Sequence, residues 1–274
     1  LQKFGVACSF VDGTSIDAVA AAIRPNTSLL YLESPTSLVF CLQDLEACVE
    51  LARQAGATTI IDNTWATPFF QNPLKYGVDL VVHSISKYIG GHSDITGGAI
   101  VGSHEKLERL NQNEFMLIGG IMTPHTATLV SRGLRTLPLR LERHHKNGVK
   151  IAEFLQTLPF VRKVNHPGLS SHPQHELAVR QMEGFSSLFS FETDIPLHEM
   201  RTWAGNLEYF RIGVSWGGYE SLVTVHNLKQ EIDSIAATSQ SIVLVRLYIG
   251  LEDLEDLILD IRHAFERIGV TIVD

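Results

Sequence analysis

Short apolar runs alternate with helical patterns through the first half of the chain. Leu29-Leu30-Tyr31-Leu32 is nearly continuous and ends in Glu33-Ser34-Pro35. Thr58-Thr59-Ile60-Ile61 ends at Asp62, Asp79-Leu80-Val81-Val82 ends at His83-Ser84, and Gly98-Ala99-Ile100-Val101 is closed by Gly102. Between the first two runs, Leu45, Val49 and Ala52 recur at helical spacing before Gly56, which predicts a helix and its stop. Strands without polar alternation, separated by helices, predict a mainly parallel sheet covered on both faces. Polar residues gather just past the strand ends, where open α/β sheets place their ligands. At the very front, Val6-Ala7-Cys8-Ser9-Phe10 reads as a further strand-like run.

The pattern changes around Pro138. A charge-rich helical stretch over about 139–158 reads as a connector, and its His144-His145 pair as part of a solvated face. Strands come next in isolated pieces, over 161–164, 187–191, 210–214 and 242–249. The last helix is the clearest. Leu254, Leu257, Ile258, Ile261, Phe265 and Ile268 form one apolar stripe, and Glu252, Asp253 and Glu255 place acid at its start. The expectation is an α/β large-domain part over residues 1–137, then a connecting helix and a smaller α+β domain over residues 138–274.

Composition removes several function classes. The chain has 274 residues, a formal net charge of −8 and a pI near 5.8. A nucleic-acid binder would carry a basic excess or stripe, and none is present. No apolar run reaches the roughly 18–20 residues that cross a bilayer. Cys8, Cys41 and Cys48 are odd in number and lack metal-ligand spacing, which predicts small core residues in a reducing compartment.

The densest chemistry lies in Ser84-Ile85-Ser86-Lys87, followed by Gly90-Gly91-His92-Ser93-Asp94. Two hydroxyls flanking an apolar residue can face a phosphate, and the lysine after them can reach an aldehyde. Pyridoxal phosphate (PLP) needs both. A solvated Ser-Lys turn is the plainer reading of the same residues. Asp62 ends the preceding strand, either as a helix cap or as a carboxylate that keeps a pyridine nitrogen protonated. Other patterns fall away. His172-Pro173-Gln174-His175-Glu176 has the wrong order for a zinc helix, and its proline opposes a helix interior. No Gly-x-Gly-x-x-Gly follows a strand.

Six stretches stand in the order and spacing of the Cys/Met-metabolism PLP enzymes, which the chain resembles from end to end. They are Leu32-Glu33-Ser34-Pro35, Asp62-Asn63-Thr64-Trp65, the segment 83–94, His166-Pro167-Gly168-Leu169, the segment 172–178, and Arg246-Leu247-Tyr248-Ile249-Gly250-Leu251-Glu252. The resemblance implies a fold-type I, aspartate-aminotransferase-like architecture and a PLP cofactor. It makes Lys87 the catalytic, aldehyde-binding lysine and Asp62 the partner of the ring nitrogen. Ser84 and Ser86 become phosphate ligands, and Arg246, Ser215 and Trp216 become substrate-binding residues. Val214-Ser215-Trp216-Gly217-Gly218-Tyr219-Glu220 and Ser37 resemble the bacterial cystathionine β-lyase type most. The implied reaction is therefore β-elimination of a sulfur amino acid, with γ-lyase or γ-synthase chemistry, or an inactive paralogue, as alternatives. The same resemblance implies a cytoplasmic homo-oligomer of the dimer-of-dimers kind. Set against the family, the sequence opens after the glycine-containing phosphate loop and the stacking tyrosine, which implies weak cofactor binding by this chain as written.

Overall fold

The structure, a computed structural model, describes residues 1–228 and 242–272. Its strands are β1 (Leu29–Glu33), β2 (Thr58–Asp62), β3 (Leu80–Ser84), β4 (Gly98–Gly102), β5 (Val161–Asn165), β6 (Leu188–Thr193), β7 (Arg211–Ile212), β8 (Leu222–Asn227) and β9 (Val243–Tyr248). The helices are α1 (Ile16–Ala22), α2 (Leu45–Gln54), α3 (Thr67–Phe70), α4 (His104–Leu110), α5 (Met116–Ile118), α6 (Pro124–Gln156), α7 (His175–Gln181), α8 (Leu197–Asn206) and α9 (Leu254–Arg267). Two sheets result. The first has the order β1-β2-β3-β4, parallel except for β4. The second has the order β5-β6-β9-β8-β7 and is antiparallel except where β7 meets β8. This is the α/β fold-type I arrangement. No helix among the described residues is long and apolar enough to cross a membrane.

Three apolar cores hold these layers. One lies between β1–β3 and α2, around Leu32, Leu45, Ile61 and Val81. A second fills the far side of the second sheet, where Val243, Val245 and Leu247 of β9 pack with Trp203 and with Leu257, Ile261 and Phe265 of α9. The third joins the two sheets, bringing Trp65, Ile85 and Tyr88 against Leu137, Leu141, Leu188, Leu222 and Tyr248. Polar clamps cross the same seam. Gln174 pairs with both backbone groups of Leu42 at 2.8 Å, and Gln181 accepts from Leu45 N–H at 2.8 Å. Trp65 Nε1 donates to the Leu188 carbonyl at 2.8 Å.

Several expectations are corrected. The sheet is not covered on both faces: Leu29, Tyr31, Ile100 and Val101 on its outer strands are exposed. The segment around Val6 and Phe10 forms no strand and is exposed, because it pairs with no neighbouring backbone ladder. The long helix begins at Pro124 and runs straight through Pro138. A proline there removes one N–H and crowds the preceding turn. One turn earlier the Gly133 carbonyl accepts from Thr136 Oγ1 at 3.2 Å and from Arg140 Nη2 at 2.9 Å. The histidine pair on this helix is not solvated. His144 is fully buried with Nδ1 2.9 Å from the Ile249 carbonyl, and half-buried His145 accepts from Phe185 N–H at 3.1 Å. Both rings turn inward because the helix is packed along the seam. Of the cysteines only Cys48 is a core residue; Cys41 is half-buried and Cys8 exposed, and all three are free. Glu252 does not serve the last helix, which is capped by Asp253. It accepts instead from Ser221 N–H and Oγ, each at 2.9 Å.

The buried histidines give the fold a pH dependence. Burial pushes His144 down to about 4, His166 to about 3 and His172 to about 4. In the unfolded chain they take up protons near pH 6.5. Below that pH the unfolded state binds more protons, so stability falls as the pH drops from about 6.5 towards 4. The expected slope is up to about 1.4 kcal/mol per histidine per pH unit. Urea unfolding across this window measures it, and a flat profile would contradict the neutral, buried state of these rings.

Candidate active site

Parallel pairing brings the ends of β2 and β3 to one edge of the first sheet, where Asp62 stands beside Val82. Thr64 locks the two ends together. Its N–H and Oγ1 donate to Asp62 Oδ1 at 2.9 and 2.5 Å, and its Oγ1 accepts from Ser84 N–H at 2.8 Å. Asp62 is therefore not a helix cap: α3 is preceded by Ala66, which makes no side-chain capping bond. Both bonds to Asp62 fall on Oδ1, so Oδ2 is the oxygen the turn does not engage.

Beyond Ser84 the chain closes into a tight turn. Lys87 N–H donates to the Ser84 carbonyl at 3.2 Å, Gly90 N–H to the Ile85 carbonyl at 2.8 Å and Gly91 N–H to the Lys87 carbonyl at 2.8 Å. Ser86 Oγ accepts from Gly97 N–H at 3.0 Å, which ties the turn to the start of β4. Lys87 is half-buried. Its Nζ donates to Ser215 Oγ at 3.0 Å and lies 5.2 Å from the centre of the Trp216 ring. Burial first, and then the charge of Arg246, hold its amine below the ordinary lysine value.

The second sheet supplies the other wall. Arg246 on β9 is half-buried, and its Nη2 donates to the Val214 carbonyl at 2.6 Å. Trp216 is partly a core residue, as its ring meets Tyr88 edge-on with centroids 5.5 Å apart. It also lines a cleft with Thr36, Ser37, Phe40, Asp62, Thr64, Trp65 and Leu188. Ser37 Oγ donates to Glu33 Oε1 at 3.1 Å beside this cleft.

Most of the residues named from the sequence thus meet. Asp62, Ser37 and Trp216 share the cleft, while Lys87, Ser215, Trp216 and Arg246 form a cluster beside it. Ser84 and Ser86 bracket the turn between them, with the hydroxyl of Ser86 directed to Gly97. Sequence reasoning assigned no role to Thr64, although a hydroxyl two residues after a strand-end aspartate signals a side-chain-closed turn. Phe40 and Leu188 carried no local signal. Among the described residues, no three His, Cys, Asp or Glu side chains gather as a metal site requires.

Comparison with known proteins agrees with this geometry. The profile of the Cys/Met metabolism PLP-dependent enzyme family matches residues 1–266. The cystathionine gamma-lyase of Bacillus subtilis (strain 168) is 41% identical over 276 residues, covering 98% of this chain and 72% of that protein. The cystathionine beta-lyase of Lactococcus lactis subsp. cremoris is 38% identical over 275 residues, covering 97% of this chain and 71% of that protein. The crystal structure of cystathionine gamma-lyase from Lactobacillus plantarum complexed with L-serine superposes with a TM-score of 0.91 at 34% identity, over 98% of this chain and 71% of that one. With the lysine turn, the strand-end aspartate and the arginine strand all in place, the chain belongs to the Cys/Met metabolism PLP-dependent enzyme family.

Proposed function

We propose that this chain is a carbon–sulfur lyase that cleaves cystathionine by β-elimination, consuming water and yielding homocysteine, pyruvate and ammonia. The observation that carries the reading is the seating of Lys87. Its amine is half-buried, held by one hydroxyl and one aromatic face, and depressed below the ordinary lysine value, as a proton carrier requires. PLP supplies an aldehyde that takes up an amine and a ring that withdraws electrons from the amino-acid Cα.

The residues fit that cofactor. Asp62 keeps one carboxylate oxygen outside its turn, which would hold a proton on the ring nitrogen, and Ser84 and Ser86 would supply hydroxyls to the phosphate. Lys87 would hold the aldehyde, and its amine would remove the substrate Cα proton and return it to the departing sulfur. The planar fork of Arg246 binds the substrate α-carboxylate and so fixes which Cα bond faces Lys87. Ser215 and Trp216 bound the space in which the side chain sits. The β reading is supported by Ser37 and Trp216, which resemble the β-lyase type and both line the cleft. The alternative, γ-elimination with a second transfer at Cβ, is favoured by the name of the Bacillus relative. The proposal includes a homo-oligomer of the dimer-of-dimers kind, supported by the exposed Ile100, Phe115, Met116, Leu117, Ile118 and Ile121. It also includes a cytoplasmic location, which the free cysteines support.

Product analysis tests the reaction: pyruvate from cystathionine is expected, and 2-oxobutyrate would move the chain to the γ class. Lys87→Ala should abolish turnover with its melting temperature close to wild type. Near-normal pyruvate release by that variant would remove Lys87 from the mechanism.

Asp62→Asn should retain PLP and lose turnover on the order of a hundredfold, since a neutral amide cannot hold the ring proton. Equal rates would leave Asp62 as a turn-forming residue only.

For Arg246→Lys, kcat/KM for the amino acid should fall on the order of a hundredfold, nearly as far as for Arg246→Ala, with PLP content unchanged. Unaltered substrate kinetics in the lysine variant would place the carboxylate clamp elsewhere.

A further inference from the structure

Strand β9 touches the loop after β7 twice. Arg246 Nη2 donates to the Val214 carbonyl at 2.6 Å, and Tyr248 Oη donates to the Gly218 carbonyl at 2.6 Å. Residues two apart on a strand face the same way, so one face of β9 grips residues 214–218 at both ends. Everything between the grips bears on Lys87. Ser215 Oγ accepts from its Nζ at 3.0 Å, and the Trp216 ring centre lies 5.2 Å from that Nζ. Gly217, at φ 89°, lies so close that a Cβ there would stand 2.6 Å from the Lys87 Cα and carbonyl carbon.

The direction of the Tyr248 bond follows from its surroundings. His144 Nδ1 lies 2.9 Å from the Ile249 carbonyl, which can only accept, so Nδ1 carries the hydrogen. Nε2 of this buried ring then has no proton to give, and it lies 3.3 Å from the tyrosine oxygen. The single phenolic proton goes to the nearer partner, the Gly218 carbonyl. The ring itself is packed independently, against Tyr88 at 5.9 Å and His144 at 5.6 Å between centroids.

We propose that Tyr248 is a positioning residue: its hydroxyl pins the far end of the 214–218 loop and thereby sets Ser215 and Trp216 against the Lys87 amine. Arg246 pins the near end from the same strand face. The two grips make the position of the lysine and that of the substrate clamp one mechanical unit. The functional weight of this assignment rests on the reading of Lys87 as the catalytic amine, while the loop geometry stands apart from it.

The test uses the full chain loaded with PLP and the variant Tyr248→Phe, which keeps the ring packing and removes the hydroxyl. Two readouts besides turnover report the loop. One is acrylamide quenching of Trp216, isolated by difference from Trp216→Phe. The other is the pH midpoint of the visible absorbance of Lys87-bound PLP. Quenching should rise and the midpoint should shift upward as water reaches the amine, with kcat/KM falling about tenfold, equivalent to about 1.4 kcal/mol. A lower melting temperature with both spectral readouts unmoved would make Tyr248 a packing residue and overturn the proposal. If Tyr248→Phe does not fold, Gly217→Ala decides instead, because its methyl lifts the loop off Lys87 with Tyr248 in place. The same two shifts are expected there, and their absence is equally fatal. Turnover surviving in Lys87→Ala would defeat the proposed function alone, since the Trp216 quenching difference does not depend on the role of the lysine.

Discussion

A buried guanidinium holds the lysine turn to the rest of the molecule. Arg140 is 7% exposed; its Nη1 donates to the Tyr88 carbonyl at 2.7 Å, and its Nη2 donates to the carbonyls of Gly133 at 2.9 Å and Ile89 at 3.5 Å. A buried charge left without partners costs several kcal/mol. The carbonyls just after Lys87 are therefore obliged to meet the long helix, and the turn cannot drift without stranding that charge. Two glycines make the approach possible. A Cβ on Gly91 would stand 2.1 Å from Arg140 Nη1, and one on Gly133 would stand 2.4 Å from the Ile89 carbonyl oxygen.

The long helix touches both sheets, and the candidate site lies on the seam it bridges. The first sheet contributes the acid, the hydroxyls and the lysine, all at the ends of parallel strands. The second contributes the loop and the arginine, carried by an antiparallel strand whose other face is core. Neither half is a site alone. Their relation is held by apolar packing and by glutamine side chains that satisfy backbone groups across the seam. Such paired, buried bonds tolerate little displacement, because breaking one leaves a desolvated partner behind. The amine of Lys87 feels both halves, as its burial comes from the seam and its neighbouring positive charge from β9.

Much of this was legible in the chain of residues alone. The apolar runs located β1 to β4 to within a residue or two, and the stripe from Leu254 to Phe265 located the last helix. Strand-end polar residues and the Ser-x-Ser-Lys motif marked the candidate site, because strand period and turn chemistry are local properties. The readings that failed were of another kind. The solvated reading of His144-His145 judged a helix face without its neighbours. The helix start expected at about residue 139 gave Pro138 too much weight, since the helix runs from Pro124 to Gln156 with that proline inside it. Coverage of both sheet faces was inferred from strands without polar alternation, yet exposure at Tyr31 and Ile100 depends on what packs there.

By itself, the sequence determined which segments form strands and helices, where polar chemistry gathers, and which lysine, aspartate and arginine carry the family's motifs. Tertiary structure alone decided that Thr64 welds two strand ends, that Arg140 clamps the lysine turn, and that Tyr248 and Arg246 hold one loop between them. The reason is physical. Periodicity and turn preference act over a few residues, whereas these contacts join groups from 20 to over 50 residues apart, and their partners are backbone atoms that every residue shares.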